Sequence, residues 1–471
     1  MNSAVGMPFT LKAAAAYLGG ALHPECDDRQ LIEYVAIDSR EVEPGSLFVP
    51  LPGRYVNGHD YILAALERGA SLCIVAENRA EQVFAQCTRD QQIRLVIVAD
   101  PLSALQRLAR WYIGRNERLV KIAVTGSNGK TTTKELIASI LEQEYSVFKT
   151  PGNFNSVIGV PIASFAITDE HRYAVFELAM SERGEMRQLA NIVFPDIAVL
   201  TNIGTAHIGN IGSQEGIAEE KKLIFSSFSG QQRAFLPENE PYYDYLADGI
   251  HGQVIPFGSH HTPGVRDVED VGLDGSVIYW GNDAIRFPLP GTYNLQNVYA
   301  AISVAVELGA SPQSITAGVQ GVVPPFGRGQ ILRGQVTVVQ DCYNANPESM
   351  AAAIAFVHSV NWEGRKILVL GDMLELGCEA FDQHRRIVEL VTEARIKHVY
   401  YVGKHFSEVL DDDNVSSNTV FAGDTVQQIA EHIAGYVGTG DLVLLKGSRG
   451  IGLEVLAERI QHAPRIGGAL C

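Results

Sequence analysis

The stretch from residue 120 to residue 142 constrains this chain more than any other. An apolar run, Val120–Thr125, feeds the turn Gly126-Ser127-Asn128-Gly129, and a helix-patterned segment, Lys130–Glu142, follows at once. A buried strand, a glycine turn and a helix in direct succession predict a strand–helix crossover of a parallel sheet. The same succession suits a phosphate. Glycines let backbone N–H groups approach its oxygens, and the helix start adds partial positive charge. Lys130 can reach β- and γ-phosphates, and the Thr131 hydroxyl stands where it would ligate Mg²⁺. Gly126, Ser127, Asn128, Gly129, Lys130, Thr131 and Thr132 are therefore the candidate nucleotide loop. The usual G-x-x-x-x-G-K-[ST] pattern is met only in part, because Val124 stands at its first glycine.

With 471 residues, the chain is long enough for roughly three domains. The 46% hydrophobic and 19% charged content suits packed α/β domains. The net charge, 37 − 54 = −17, argues against a nucleic-acid surface. It also means that a phosphate-bearing ligand must be caught by local features. The six cysteines are scattered without metal-like spacing, as in a reduced cytoplasmic protein. No apolar run approaches the roughly 20 residues that span a bilayer. Ala13–Ala16 reads as the start of an amphipathic helix and not as a signal peptide. The expectation is a soluble cytoplasmic protein, with no membrane and no nucleic-acid partner.

Alternating strand and helix patterns predict a small N-terminal α/β domain over residues 1–116. Its strands are expected at Tyr34–Asp38, Ser46–Leu51, Ser71–Ala76 and Arg94–Ala99. A central P-loop domain with a parallel sheet is expected over 117–312, with further strands at Tyr173–Leu178 and Ile197–Asn202. Its hairpin signals are Asp274-Gly275 and Gly281-Asn282. Gly309–Gly329, with Pro324-Pro325, reads as a linker. A Rossmann-like third domain is expected over 313–471, with strands Val336–Asp341, Lys366–Leu370, His398–Val402 and Asp441–Lys446.

Two polar residues follow central strands, where a parallel sheet opens its ligand crevice. Glu177 ends an apolar run, and a carboxylate there is costly to bury unless it is paired or binds metal, so it is a second candidate Mg²⁺ ligand. His207 follows Thr201–Ala206 and should face the same crevice. Lys221 and Lys222, beside Glu219 and Glu220, read on their own as a solvated helix face.

Taken together, the motifs resemble the Mur ligase family, whose members build the peptide stem of bacterial peptidoglycan. The resemblance rests on residues 125–132, on Thr150–Asn155 with Ile158–Pro161, on Phe176-Glu177-Leu178, and on Thr201–Gly204 with His207. It continues through Gly291–Asn297, Gly327-Arg328-Gly329, Asp341–Pro347, Gly371–Gly377 and Lys446–Arg449. In the N-terminal part it rests on Asp38-Ser39-Arg40, Pro44–Val49 and Asn57–Asp60. Ser156 and Ser181 depart from it, each standing where asparagine is usual or frequent.

The resemblance implies an ATP- and Mg²⁺-dependent amide ligase that works through an acyl phosphate. Its expected substrates are UDP-N-acetylmuramoyl-tripeptide and D-alanyl-D-alanine, and it is expected to be a monomer. The carry-over makes residues 1–116 the UDP-substrate domain and residues 313–471 the domain for the incoming amine. It makes Lys130, His207 and Lys221 catalytic, with Lys221 carbamylated as in relatives. Thr131, Glu177, His207 and Lys221 become metal ligands, and Asn297, Arg328 and Asp341 nucleotide contacts. Ser39, Arg40, Asn57, His59, Asn153, Asn155, Asn344, Asn346, Lys446, Ser448 and Arg449 become substrate contacts. The alternatives are a sibling ligase adding the third stem residue, a folylpolyglutamate-type ligase, and a P-loop NTPase switch. A dehydrogenase would need a G-x-G-x-x-G after a strand of the third domain, which the sequence lacks there.

Overall fold

The structure is a computed structural model that describes residues 2–53, 55–412 and 419–461. Cys471 lies outside the described residues, as does the end of the expected third domain.

The N-terminal sheet runs in the order β1 (Asn2–Thr10), β2 (Leu31–Ala36), β3 (Ser46–Phe48), β4 (Leu72–Ala76), β5 (Leu95–Val98). The β1–β2 pair is antiparallel and the others are parallel. The strand β1 was not expected. Its pairing shifts register between Ala4 and Phe9, because the bulge between them docks on the next domain. There Gly6 N–H bonds Phe165 O at 2.8 Å, and Met7 N–H bonds the Tyr112 hydroxyl at 2.8 Å. Tyr112 lies on α1 (Pro101–Gly114), whose start is capped by Asp100.

The central sheet continues with β6 (Val120–Thr125), β7 (Val147–Lys149), β8 (Tyr173–Glu177), β9 (Ile197–Leu200), β10 (Arg233–Pro237) and β11 (Gln253–Phe257). They lie side by side in the order β11-β10-β9-β6-β8-β7, all parallel. The strand order turns at β6, so the glycine turn after it opens into a crevice at the strands' carboxyl ends. An antiparallel sheet of β12 (Val265–Asp270), β13 (Ser276–Trp280) and β14 (Asp283–Phe287) is attached, turning at both expected hairpin signals.

Behind β6 packs α2 (Lys130–Leu141), against α3 (Tyr293–Glu307) and α4 (Pro312–Gly321). The helix α4 corrects the expectation that Gly309–Gly329 is a linker. Its Ile315 and Val319 are buried in the central core, and Ser139 Oγ donates to Gly318 O at 2.8 Å. A Cβ at Gly318 would stand 2.3 Å from Ile140 Cα, so the glycine is there for close helix approach and not for a turn. The expected boundary at 312/313 therefore moves past Gly321. The connecting segment carries exposed Val323 and Phe326.

The C-terminal sheet comprises β15 (Gln330–Leu332), β16 (Thr337–Asp341), β17 (Lys366–Gly371), β18 (His398–Val402), β19 (Thr419–Gly423) and β20 (Leu442–Lys446). Their order is β15-β16-β20-β17-β18-β19, parallel apart from β15. The helix α5 (Pro347–Ser359), capped by Asn346, is bonded to the central domain at its start and faces it across a cavity at its far end. At its start, Asn346 Nδ2 donates to Asn128 Oδ1 at 2.9 Å, and Glu348 accepts from Thr205 N–H and Oγ1, each at 3.0 Å. At its far end a cavity of about 450 Å³ lies between Ser359–Trp362 and the β12–β13 loop. Leu273 of that loop joins the C-terminal core, and Asp274 pairs with Arg333 at 2.7 Å. Among the described residues no helix is long and apolar enough to cross a membrane.

Candidate active site

The glycine turn is pinned to the loop after β9. Ser127 N–H bonds Asn202 O at 3.0 Å, Asn128 N–H bonds Asn202 Oδ1 at 2.9 Å, and Gly204 N–H bonds Ser127 Oγ at 2.8 Å. Two glycines make the turn possible. Gly126 lies at φ +151° and Gly129 at φ +81°, and a Cβ would stand 1.8 Å from Thr201 Oγ1 or 2.1 Å from Asn297 Oδ1 respectively. Lys130 folds back over its own loop, donating to Gly126 O at 2.8 Å and Ser127 O at 3.2 Å. Desolvation pushes its pKa down to about 8, the Glu177 carboxylate opposes that shift, and the Arg328 charge adds to it.

Thr131 and Glu177 meet as expected. Thr131 Oγ1 donates to Glu177 Oε2 at 2.7 Å, and the carboxylate is 2% exposed, which excludes a water-exposed strand-end acid. Asn155, expected at the substrate, also holds the acid, its Nδ2 donating to Glu177 Oε1 at 2.8 Å. Lys134, absent from the sequence expectations, is 1% exposed, 3.9 Å from Glu177 Oε2, and donates to Thr150 O at 2.8 Å. Its nearer ion pair is with Glu135 Oε1 at 3.0 Å. A carboxylate and a hydroxyl are hard oxygen donors and fit Mg²⁺. Mg²⁺ usually keeps water and phosphate oxygens around it, so two protein donors are enough for such a site.

Lys221 overturns the reading of a solvated charged face. It is 1% exposed and donates to Gly126 O at 3.0 Å, the carbonyl that also receives Lys130. Desolvation, and then the Lys130 charge, lower its pKa well below the lysine range, and the Glu220 carboxylate opposes them. His207, at φ +66°, points to the C-terminal domain, with Nδ1 2.7 Å from Glu375 Oε2. Glu375 is likewise at φ +66°, and the contact with His207 lowers its pKa. His207 and Lys221 share no partner among the described residues, although both are expected at one ion.

Other expected contacts are already engaged. Asn297 accepts from Thr133 Oγ1 at 3.2 Å and donates to Asn294 Oδ1 at 3.0 Å, holding α3 against Gly129. Asp341 pairs with buried Lys446 at 2.9 Å, and Lys446 also donates to Asn344 O at 2.8 Å. The Arg328 guanidinium lies 4.2 Å from the Tyr343 ring centre. His59 and Asn57, expected at the substrate, also make contacts within the fold. His59 Nε2 accepts from Ala76 N–H at 3.0 Å and Nδ1 meets Asn57 Oδ1 at 2.8 Å, which uses both ring nitrogens. Ser39 is buried, Arg40 pairs with Asp38 at 2.6 Å, and Asn153 is exposed.

Between the central and C-terminal domains lies a cavity of about 200 Å³. His207 lines it from one side, and Asn344, Asn346, Glu375, Ser448 and Arg449 line it from the other. Thus expected residues from two domains converge on one space. Glu375, which sequence reasoning did not name as a site residue, joins the walls, and Glu348, likewise not named, bonds Thr205 across the same domain boundary.

Comparison with known proteins agrees with this architecture. Residues 31–112 match the model described as Mur ligase family, catalytic domain. Residues 124–305 match the Mur ligase middle domain, and 327–449 the Mur ligase, glutamate ligase domain. A Treponema pallidum protein named UDP-N-acetylmuramoyl-tripeptide--D-alanyl-D-alanine ligase is 39% identical over 440 residues, covering 92% of this chain and 95% of its own. A crystal structure of MurF from Acinetobacter baumannii superposes with TM-score 0.87 at 28% identity, covering 97% of this chain and 99% of that one. MurF ligase from Thermotoga maritima in complex with ADP superposes with TM-score 0.80 at 27% identity, covering 91% and 96%.

Proposed function

This chain belongs to the Mur ligase family, and from that premise we propose how its residues perform the ATP-dependent addition of D-alanyl-D-alanine to UDP-N-acetylmuramoyl-tripeptide in peptidoglycan precursor synthesis. The observation that carries the reading is the convergence of the lysine-bearing glycine loop, the Thr131–Glu177 pair and the interdomain cavity.

A carboxylate is a poor electrophile. Its oxygen attacks the γ-phosphorus of ATP, ADP departs, and the tripeptide is left as an acyl phosphate. The dipeptide amine then attacks the acyl carbon, phosphate leaves with the C–O electron pair, and the nitrogen gives up a proton. Lys130 and the loop amides hold the phosphates and meet the charge that builds on them. Thr131 and Glu177 would hold Mg²⁺, with His207 and carbamylated Lys221 at a second ion, and the metal would offset phosphate charge. Asn297, Arg328 and Asp341 would frame the nucleotide, and Ser39, Arg40 and Asn153 the UDP-linked substrate. Asn344, Asn346, Ser448 and Arg449 would receive the dipeptide. The juxtaposed domains exclude water from the acyl phosphate.

We further read the chain as a cytoplasmic monomer without nucleic-acid or membrane partners. Phosphate release measured with each substrate omitted in turn tests the whole reading. Release is expected only with ATP, the UDP-linked tripeptide and D-alanyl-D-alanine together; release without the amine would identify an NTPase switch instead.

A further inference from the structure

We propose that His384 is a positioning residue of the ligase: as a neutral imidazole it fixes the loop after β17, and through Glu375 it sets where His207 stands at the seam between the domains. This role rests on the ligase reading above and belongs to a side chain that meets no ligand.

His384 lies on α6 (Ala380–Glu393) and is fully buried. Its Nδ1 is 2.6 Å from Ala380 O, which can only accept, and its Nε2 is 3.0 Å from Met373 N, which can only donate. One arrangement satisfies both partners, with the proton on Nδ1 and the lone pair on Nε2. Asp372 Oδ1, 3.5 Å from Nε2, already accepts from Phe406 N–H at 3.0 Å. The His405 ring centre is 5.3 Å away. Burial lowers the pKa of His384 and His405 adds to that shift, whereas the Ala380 carbonyl, Asp372 and Glu408 oppose it.

The bond to Met373 is one of three anchors on consecutive residues. The Asp372 carboxylate accepts from His405 N–H and Phe406 N–H, each at 3.0 Å, at the start of α7 (Lys404–Leu410). Leu374 N–H bonds Ser448 Oγ at 2.9 Å. The loop then delivers Glu375 at φ +66°, where Oε2 is 2.7 Å from His207 Nδ1 and the carbonyl accepts from Gly209 N–H at 3.3 Å. There is no slack beyond it, since a Cβ on Gly377 would stand 2.9 Å from Gly209 Cα. A shift of the Met373 backbone is therefore passed to His207 and not absorbed. Ser448 lines the cavity between the domains, whereas His384 does not, so His384 acts only through the loop.

The test separates the acceptor from the bulk of the side chain. In His384→Gln, Oε1 can replace the imidazole Nε2 and accept from Met373 N–H. In His384→Asn the amide reaches only as far as Nδ1, and that N–H is left unpaired. With ATP, the UDP-linked tripeptide and D-alanyl-D-alanine, kcat should fall about tenfold or more in His384→Asn and less than about threefold in His384→Gln. KM for ATP should change little in either. Glu375→Ala removes the contact through which His384 acts, so in that background His384→Asn should cost about twofold or less. Nitrogen NMR of the wild-type imidazole should show Nδ1 protonated and Nε2 bare at neutral pH. Circular dichroism checks that each variant is folded, and the tautomer measurement and the Gln variant decide the matter even where His384→Asn does not fold. Similar turnover in His384→Gln and His384→Asn, a full loss that persists in Glu375→Ala, a tenfold loss in His384→Gln, or a proton on Nε2 each overturns the role while the ligase reading stands. Failure of the wild-type protein to join the dipeptide at all overturns the reading on which the role depends.

Discussion

Lys130 shows how much one side chain is asked to do before any ligand arrives. It satisfies two carbonyls of its own loop and so holds open the turn it will serve. Removing a preorganised donor to transition-state charge typically costs about 10²–10³ in kcat. Lys130→Ala should lose at least that much turnover while its circular dichroism spectrum stays native. Its protonation makes a second prediction. Only the ammonium attracts a triphosphate, and the proton leaves as pH rises through about 8. Nucleotide affinity, measured without metal, should fall above that pH. Binding near it should take up protons, visible calorimetrically as a heat that depends on the buffer's ionisation enthalpy. Lys130, Thr131 and Glu177 could be read from sequence because strand, turn and helix fix their places locally. Lys221 and His59 could not, because burial and long-range partners decide their state, and a run such as Glu219–Lys222 looks solvated until the fold covers it. Nor does composition reveal that His207 and Glu375 both adopt left-handed backbone and meet across a domain boundary.

Elements followed a similar division. Helices and inner strands were legible, since apolar periodicity is strongest where both faces are covered. Of the strands given no range from the sequence, β1, β7, β11, β15 and β19 lie at sheet edges, where a single neighbour suffices and the pattern is short or bulged, while β10 lies inside the central sheet. The helix α4 was hidden by its own packing. Its glycine and small residues look like a turn, yet Gly318 is small because α2 lies against it. Gly318→Val should overpack this contact and lower unfolding free energy by about 1–3 kcal/mol, measured by urea denaturation. An unchanged midpoint would show that the two helices tolerate separation. Since α2 begins at Lys130, the same variant should also weaken nucleotide binding.

For the whole molecule, the central and C-terminal domains already touch at the glycine loop through Asn346 and at the loop after β9 through Glu348 and Glu375. Glu348→Ala should loosen this seam. Small-angle scattering should then give a larger radius of gyration than wild type, and proteolysis near exposed Val323 and Phe326 should quicken. An ATP analogue with the UDP-linked tripeptide should reverse much of that expansion. The three-domain order was legible because strand–helix alternation restarts after each boundary. The interdomain contacts were not, since neither wall of a seam carries the pattern of the other.

The thirteen residues of α5 make a rod about 20 Å long. One tip is bonded beside the phosphate loop, and the other stands over the β12–β13 loop, where Leu273 is sunk in the neighbouring core. A rod pinned at one tip, with its other tip facing a loop of the same body, is a poor lever but a good axle. Whatever excursion the C-terminal domain makes between turnovers should thus be a roll about this axle, sweeping Arg449 through an arc while Asn346 scarcely travels.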